Sequence, residues 1–159
     1  MLVEKILGKI HDMDTRGKTI ETVDIDWYEA YKKVHRKVTD AGRDIGIRLD
    51  DSVLKTGLVT GDVLYADDHT IIVVNTPACE AILVKVDANH SHQIAKVCYE
   101  IGNRHAPLFW GPEPNSFVTP YNEPMLVMLG GLHGVEATKE VLPFDFDHQI
   151  SATVSSHHH

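Results

Sequence analysis

Residues 81–103 read AILVKVDANHSHQIAKVCYEIGN, and this stretch combines two different hydrophobic periods. Its first part, AILVKV at residues 81–86, is a short apolar run that predicts a buried strand. A helix is expected next, because Asp87 or Asn89 can cap a segment that extends to about Gly102. The apolar residues of this segment recur at helical spacing and define one inward face: Ile94, Val97, Cys98 and Ile101.

The same alternation of strand and helix continues towards the C-terminus. PLFW (107–110) and SFVTP (116–120) predict two short strands, and VEATKEVLP (135–143) predicts a last one. With a helix before and a helix after the central pair, the order is βαββαβ. This order is that of the ferredoxin-like plait, which we therefore assign to residues 77–143.

The second helix of this plait has recognisable start and stop residues. Asn122 is a favourable cap, Pro124 suits the first turn, and Gly134 is expected to end the helix. Its inward face is predicted to consist of four apolar residues: Met125, Met128, Leu129 and Leu132.

Residues 1–76 predict a separate all-β domain, with short alternating strands, turn signals and no long helix. Thr76-Pro77 is a plausible linker, since proline disfavours continuation of a sheet. Residues 144–159 show no periodicity and predict a flexible, histidine-containing tail. The expected fold class is α+β, with an N-terminal β domain, a ferredoxin-like domain and a tail.

Composition limits the classes of function. The chain has 159 residues, 43% of them hydrophobic, and a formal net charge of −8. The acidic balance argues against general nucleic-acid binding, and no apolar run is long enough for a transmembrane helix. The first residues do not resemble a signal peptide, and Cys79 and Cys98 suggest no disulfide framework. We expect a cytoplasmic protein.

Eleven histidines suggest metal handling, because imidazole is the commonest metal-binding side chain. His90 and His92 form an HxH pair, but neither the further ligands of an HxHxDH set nor an HExxH motif is present. A zinc hydrolase is therefore disfavoured, and the pair is interpreted as surface histidines near a helix start. Four others are isolated in the sequence and interpreted as solvated residues: His11, His35, His69 and His133.

His105 is the more informative histidine, because it follows the predicted helix directly. Gly102 and Asn103 are the two residue types that most readily adopt a left-handed backbone. A break there would turn His105 away from the helix axis and towards a surface. An ordinary helix cap is the alternative, and Asn103 and Arg104 either orient the His105 loop or serve only as a cap and a solvated cation.

The segment YEIGNRHAPLF (99–109) resembles the signature of the UreE family of nickel-delivering urease accessory proteins. Three further segments resemble that family: TDAGRDIGIRL, TGDVLYADDHTIIVV and MLGGLHGVEATKEVLPFDFD. The resemblance implies a chaperone-like peptide-binding N-terminal domain and a homodimer joined through the ferredoxin-like domains. It further implies that His105 of both subunits holds one shared Ni²⁺ ion near the two-fold axis.

Additional ligands are expected in the tail, from His148 and also from His157, His158 and His159. The sequence leaves open whether the last three are native or a tag remnant. Residues 121–124 lack the extra histidines that some family members carry there, so no auxiliary site is expected at that position. Zn²⁺ or Cu²⁺ can substitute for Ni²⁺ at an imidazole site.

The predicted function is that of a nickel metallochaperone for urease metallocentre assembly, not an enzyme. The expected partners are the urease accessory GTPase and the urease apoprotein complex. A different class stays open, namely a peptide-binding scaffold with incidental metal binding, which would use a sheet edge of the β domain.

Overall fold

The structure is a computed structural model that describes residues 1–144 and 146–150. It divides into two compact units, the first covering Met1–Pro77 and the second beginning at Ala78. In the described part of the chain, none of the helices has the length and apolar character needed to cross a bilayer.

The first unit is built almost entirely from strands. Its elements are β1 (Leu2–Val3), β2 (Gly8–Lys9), β3 (Thr19–Asp24), β4 (Val34–Val38), β5 (Asp44–Arg48), the single-turn helix α1 (Val53–Thr56), β6 (Asp62–Ala66) and β7 (Thr70–Asn75). They form a three-stranded sheet in the order β1-β5-β4 and a four-stranded sheet in the order β2-β6-β7-β3. Strands β4 and β5 form an antiparallel hairpin, and so do β6 and β7.

Alternating apolar residues of both sheets form the core of this unit, which includes Val23, Ile45, Ile47 and Ile72. A buried carboxylate also links the sheets. Glu21 of β3 is only 4% exposed and accepts a hydrogen bond from Thr39 Oγ1 at 2.7 Å.

Arg43 donates to the same carboxylate, with 2.9 Å between its Nη2 and Glu21 Oε2. The hydrogen bonds from Arg43, and to a smaller extent from Thr39, hold the pKa of Glu21 below its usual range, because they favour the charged form. Thr39 and Arg43 flank the β4–β5 turn, so this cluster fixes that hairpin to β3.

The second unit is a ferredoxin-like plait, as predicted. Its elements are β8 (Cys79–Val86), α2 (Gln93–Asn103), β9 (Phe109–Trp110), β10 (Ser116–Pro120), α3 (Glu123–Gly130) and β11 (Val135–Leu142). The sheet is antiparallel in the order β11-β8-β10-β9, so the first and last strands of the unit are neighbours.

Both helices pack on the apolar side of this sheet. Val97 and Ile101 of α2 and Met125 and Leu129 of α3 are buried in one cluster with residues of β8 and β10. This cluster holds α2 in place and thereby fixes the position where the chain leaves the helix.

The ends of the helices differ in part from the prediction. The side chain of Asn122 caps α3 as expected, accepting from Met125 N at 3.0 Å. However, α3 ends at Gly130 with Gly131 as its C-cap, so the prediction that Gly134 ends it was wrong. Three glycines lie within five residues here, and Gly134 instead forms the turn into β11 with φ of +76°.

Candidate metal centre

His105 has a left-handed backbone, with φ of +57°, directly after α2. Two hydrogen bonds define this helix end: His105 N donates to Gly102 O at 2.9 Å, and Ala106 N donates to Ile101 O at 3.3 Å. This pair of bonds is the Schellman motif, in which His105 occupies the position usually held by glycine. The accompanying apolar contact is also present, because Ala106 packs in the cluster that contains Ile101.

The prediction that the helix is broken at Gly102 and Asn103 was therefore wrong, because the helix continues through both residues. Both residues belong to α2, and the left-handed residue is His105 itself. The burial of Ile101 fixes which carbonyls close the motif, and this decides which residue must be left-handed. The expected consequence is nevertheless observed, since the His105 side chain is exposed at the surface.

Arg104 is tied back to the helix that it follows. Its Nη1 donates to the Glu100 carbonyl oxygen at 3.0 Å and also to the Glu100 carboxylate. The cation thus lies beside the last carbonyls of α2, where a positive charge is favourable. The interpretation of Arg104 as a solvated cation was therefore incomplete, because its guanidinium is held by Glu100 at the last turn of the helix.

The described part of the predicted tail is attached to the ferredoxin-like unit. The Phe144 ring is buried and stacks on Phe109 with 4.9 Å between the ring centroids. Further along, Gln149 forms a bridge with Phe109, and Ile150 N donates to Leu108 O at 2.8 Å. This attachment was not predicted, because the aromatic residues after Pro143 show no periodicity.

His148 lies within this attached segment, at the end of a short 3₁₀ turn over Phe146–His148. Its exposed side chain lines an apolar cavity of about 430 Å³ together with Trp110 and Phe144. The residues that hold the segment, 108 and 109, follow His105 by only three and four positions. The fold therefore brings the chain segments of the two candidate ligands to the same region of the second unit.

Within residues 1–144 and 146–150 the chain presents no finished metal site, because no three His, Cys, Asp or Glu side chains converge on one ion position as they stand. His157, His158 and His159 lie outside the described residues. Trp110 is 57% exposed and Tyr99 is 66% exposed, whereas Phe109 is buried. Exposed aromatic residues therefore occur close in sequence on either side of His105.

Two of the histidines interpreted as isolated and solvated have different surroundings. His35 is buried, and its Nε2 lies 2.9 Å from the Lys32 carbonyl oxygen. Burial lowers the pKa of His35, since a low-dielectric environment disfavours the imidazolium. The other exception is His133, whose ring packs against His90. The solvated interpretation was therefore wrong for His35, which is buried. It was incomplete for His133, which is exposed but contacts another ring.

Comparison with known families agrees with this architecture. The N-terminal domain of the UreE urease accessory protein matches residues 3–76, and its C-terminal domain matches residues 81–159. This chain belongs to the UreE family. A protein of Helicobacter pylori (strain Shi470) named urease accessory protein UreE is 39% identical over 158 residues, covering 99% of this chain and 89% of that protein.

Other UreE relatives give the same result. The urease accessory protein UreE of Helicobacter acinonychis (strain Sheeba) is 38% identical over 99% of this chain and 89% of its own length. That of Acetivibrio thermocellus is 39% identical, with 81% of this chain and 80% of the relative covered. UreE proteins are accessory chaperones, which confirms the prediction that this chain is not an enzyme.

Proposed function

We propose that this protein binds Ni²⁺ as a homodimer and delivers it during assembly of the urease metallocentre. A role in urease maturation follows from membership of the UreE family. The observation that supports nickel carriage is the position of His105, whose imidazole is exposed by a left-handed helix end in a backbone conformation that a non-glycine residue rarely adopts. Unusual backbone conformations of this kind occur preferentially at functional sites.

One imidazole is too few to hold an ion, but a two-fold axis duplicates every ligand. Two His105 side chains from a homodimer would supply half of a four-ligand shell. The exposed aromatic rings of Trp110 and Tyr99 support a subunit interface near His105, since interfaces are enriched in aromatic residues.

His148 is the proposed accessory ligand, because its segment is held beside the strand that follows His105. The three terminal histidines would add to it. A shell with open positions suits a carrier, because a closed four-ligand site of the structural zinc type would retain its cargo. The recipients in this proposal are the urease accessory GTPase and the urease apoprotein complex, in the cytoplasm.

Imidazole ligands do not by themselves select nickel, because Cu²⁺ binds more tightly and Zn²⁺ also binds. The proposal therefore concerns Ni²⁺ as the cargo in the cell, where metal availability decides occupancy. In vitro, Zn²⁺ and Cu²⁺ are expected to compete for the His105 pair.

The test is the number of Ni²⁺ ions bound per dimer, measured by calorimetry on the full chain. A His105→Gly variant is expected to lose the shared ion, whereas His69→Ala, which removes an exposed histidine of the first unit, should keep it. Repeating the titration without residues 157–159 measures what the terminal histidines add. An unchanged stoichiometry in His105→Gly would contradict the proposal.

One observation favours the alternative of a peptide-binding scaffold. Strand β4 is at the edge of its sheet, and Val34 and Val38 on this strand are exposed. An exposed apolar edge strand can accept a partner strand. If the protein is a scaffold, replacing both valines by lysine should abolish its main activity, the binding of a partner strand. If the protein is a nickel carrier, the same variant should keep the Ni²⁺ stoichiometry of the wild type.

A further inference from the structure

Three histidines that are scattered in the sequence meet at the other end of α2. The rings of His90 and His133 pack edge to face with 4.5 Å between their centroids, and the His92 ring lies 6.0 Å from that of His90. The pairing of β8 with β11 causes this meeting, because it sets Val86 opposite Val135. The turn that contains His133 is thereby placed beside the start of α2.

His90 is the anchored member of this group, which we call the imidazole cluster (His90, His92 and His133). A Cβ atom on Gly134 would lie only 2.4 Å from His90 Cγ, so the ring occupies space that only glycine leaves open. The Nδ1 atom of His90 is buried and makes no hydrogen bond within the described residues. It faces Asp87 Oδ2 at 3.6 Å.

The remaining 27% exposure of the His90 side chain therefore belongs to other atoms of the residue. A carboxylate facing one ring nitrogen while the other stays available is the arrangement in which metal-binding histidines are usually held. At 3.6 Å the Asp87 Oδ2 atom is beyond hydrogen-bond distance of Nδ1. A small rotation of either side chain would let the carboxylate accept a hydrogen bond from Nδ1–H, which leaves the Nε2 lone pair for a metal ion.

The backbone around the imidazole cluster is fixed, whereas two of its side chains can move. Gln93 Nε2 donates to the His133 carbonyl oxygen at 2.9 Å, and Asp87 N donates to Gly134 O at 2.9 Å. These bonds hold both chain segments next to each other. The imidazoles of His92 and His133 are exposed, so each can rotate about its side-chain bonds.

We propose that the imidazole cluster is a second cation site of each protomer and binds one divalent ion of the Zn²⁺, Ni²⁺ or Cu²⁺ type. His90 is the fixed ligand, His92 and His133 rotate to complete the set, and Asp87 orients His90. Rotation is required because the described side chains do not converge on one ligand position as they stand. Ordering two exposed side chains costs conformational entropy, which keeps the site weak and exchangeable.

This site is distinct from His105. The imidazole cluster lies beside the start of α2, whereas His105 follows the end of that helix. The two ends of an 11-residue helix are about 16 Å apart. The proposal therefore does not depend on the shared nickel site and can be tested in its absence.

The direct test is a Zn²⁺ titration of the full-length His105→Gly variant, followed by NMR of the individual imidazole nitrogens. The resonances of His90, His92 and His133 should shift together and saturate at one ion per chain, while those of His11 and His69 stay in place. The proposal is overturned if the three do not shift, or if they shift no more than His11 and His69.

Two variants in the same background test the assigned roles. Asp87→Asn keeps the oxygen that accepts from Asn89 N at 2.9 Å but replaces the carboxylate oxygen that faces His90. We expect Zn²⁺ affinity at the cluster to fall about 10–100-fold, as for other second-sphere carboxylates. His133→Gln should weaken binding at least as much, and His69→Gln should not. Equal affinities for all three variants would refute the assignment.

Discussion

Replacing His105 with glycine is expected to stabilise the metal-free protein while removing its proposed nickel ligand. The reason is the left-handed backbone of His105, which glycine adopts without a steric penalty. His105→Ala is the matched variant, because alanine also removes the imidazole but retains a Cβ atom in the unfavourable conformation.

The expected difference between the two variants can be worked from the backbone. A left-handed residue with a Cβ atom costs about 1–2 kcal/mol, and glycine loses about 0.5–1 kcal/mol through its larger conformational freedom in the unfolded chain. The glycine variant should therefore be more stable than the alanine variant by about 0.75 kcal/mol, the centre of a range from about 0 to 1.5 kcal/mol. If the second unit unfolds cooperatively by itself, the central value corresponds to a difference in Tm of about 3–6 °C.

Thermal unfolding in the presence of a chelator measures this difference, because bound metal would otherwise add to the stability of the wild type. Nickel stoichiometry is then determined on the same samples. We expect both variants to lose the shared ion and the glycine variant to have the higher Tm. A glycine variant less stable than the alanine variant would refute the left-handed assignment, and retained nickel would refute the ligand assignment.

Three further predictions concern the packing of Phe144, the buried carboxylate of Glu21 and the pH dependence of nickel binding. Phe144→Ala should cost about 3–5 kcal/mol of local packing and release residues 146–150, visible as faster amide exchange at Gln149 and Ile150. Glu21→Gln should lower Tm at pH 7, and the loss should shrink as the pH falls below 4.5. Because the pKa of Glu21 is lowered in the folded state, its contribution is fully present above the ordinary value of 4.5 and is lost as the pH falls through the folded pKa. Nickel binding by paired imidazoles should weaken as the pH falls, because protons compete with the metal ion for the ring nitrogens, and full affinity at pH 5 would argue against histidine ligation.

The strands, and the order of strands and helices along the chain, could be predicted because they depend on local patterns of apolar residues. The short segments 116–120 and 135–143 predict strands, and the side-chain chemistry of Asn122 predicts a helix cap; all three are observed. A βαββαβ order then leaves few arrangements open, and the observed sheet is one of them. The end of α3 was missed because the glycines at 130, 131 and 134 are locally equivalent as stop signals.

The candidate site was predicted only in part, because backbone conformation at a helix end depends on packing. From the sequence, Gly102 and Asn103 are better left-handed residues than His105. The buried side chain of Ile101 and its neighbour Ala106 decide where the Schellman motif closes, and this information is tertiary. The attachment of Phe144 to Phe109 is a contact of the same kind, since it joins residues 35 positions apart and has no periodic signal.

The histidine at position 133 shows how such contacts could be sought from the sequence. In a ferredoxin-like plait the first and last strands are antiparallel neighbours, so the turn before the last strand lies beside the loop after the first. Once the βαββαβ order is assigned, HSH at 90–92 and His133 are expected to approach each other, although they are separated by about forty residues. The order of the strands thus places imidazoles at both ends of α2. His90 and His133 lie beside the first turn of the helix, and His105 follows its last turn.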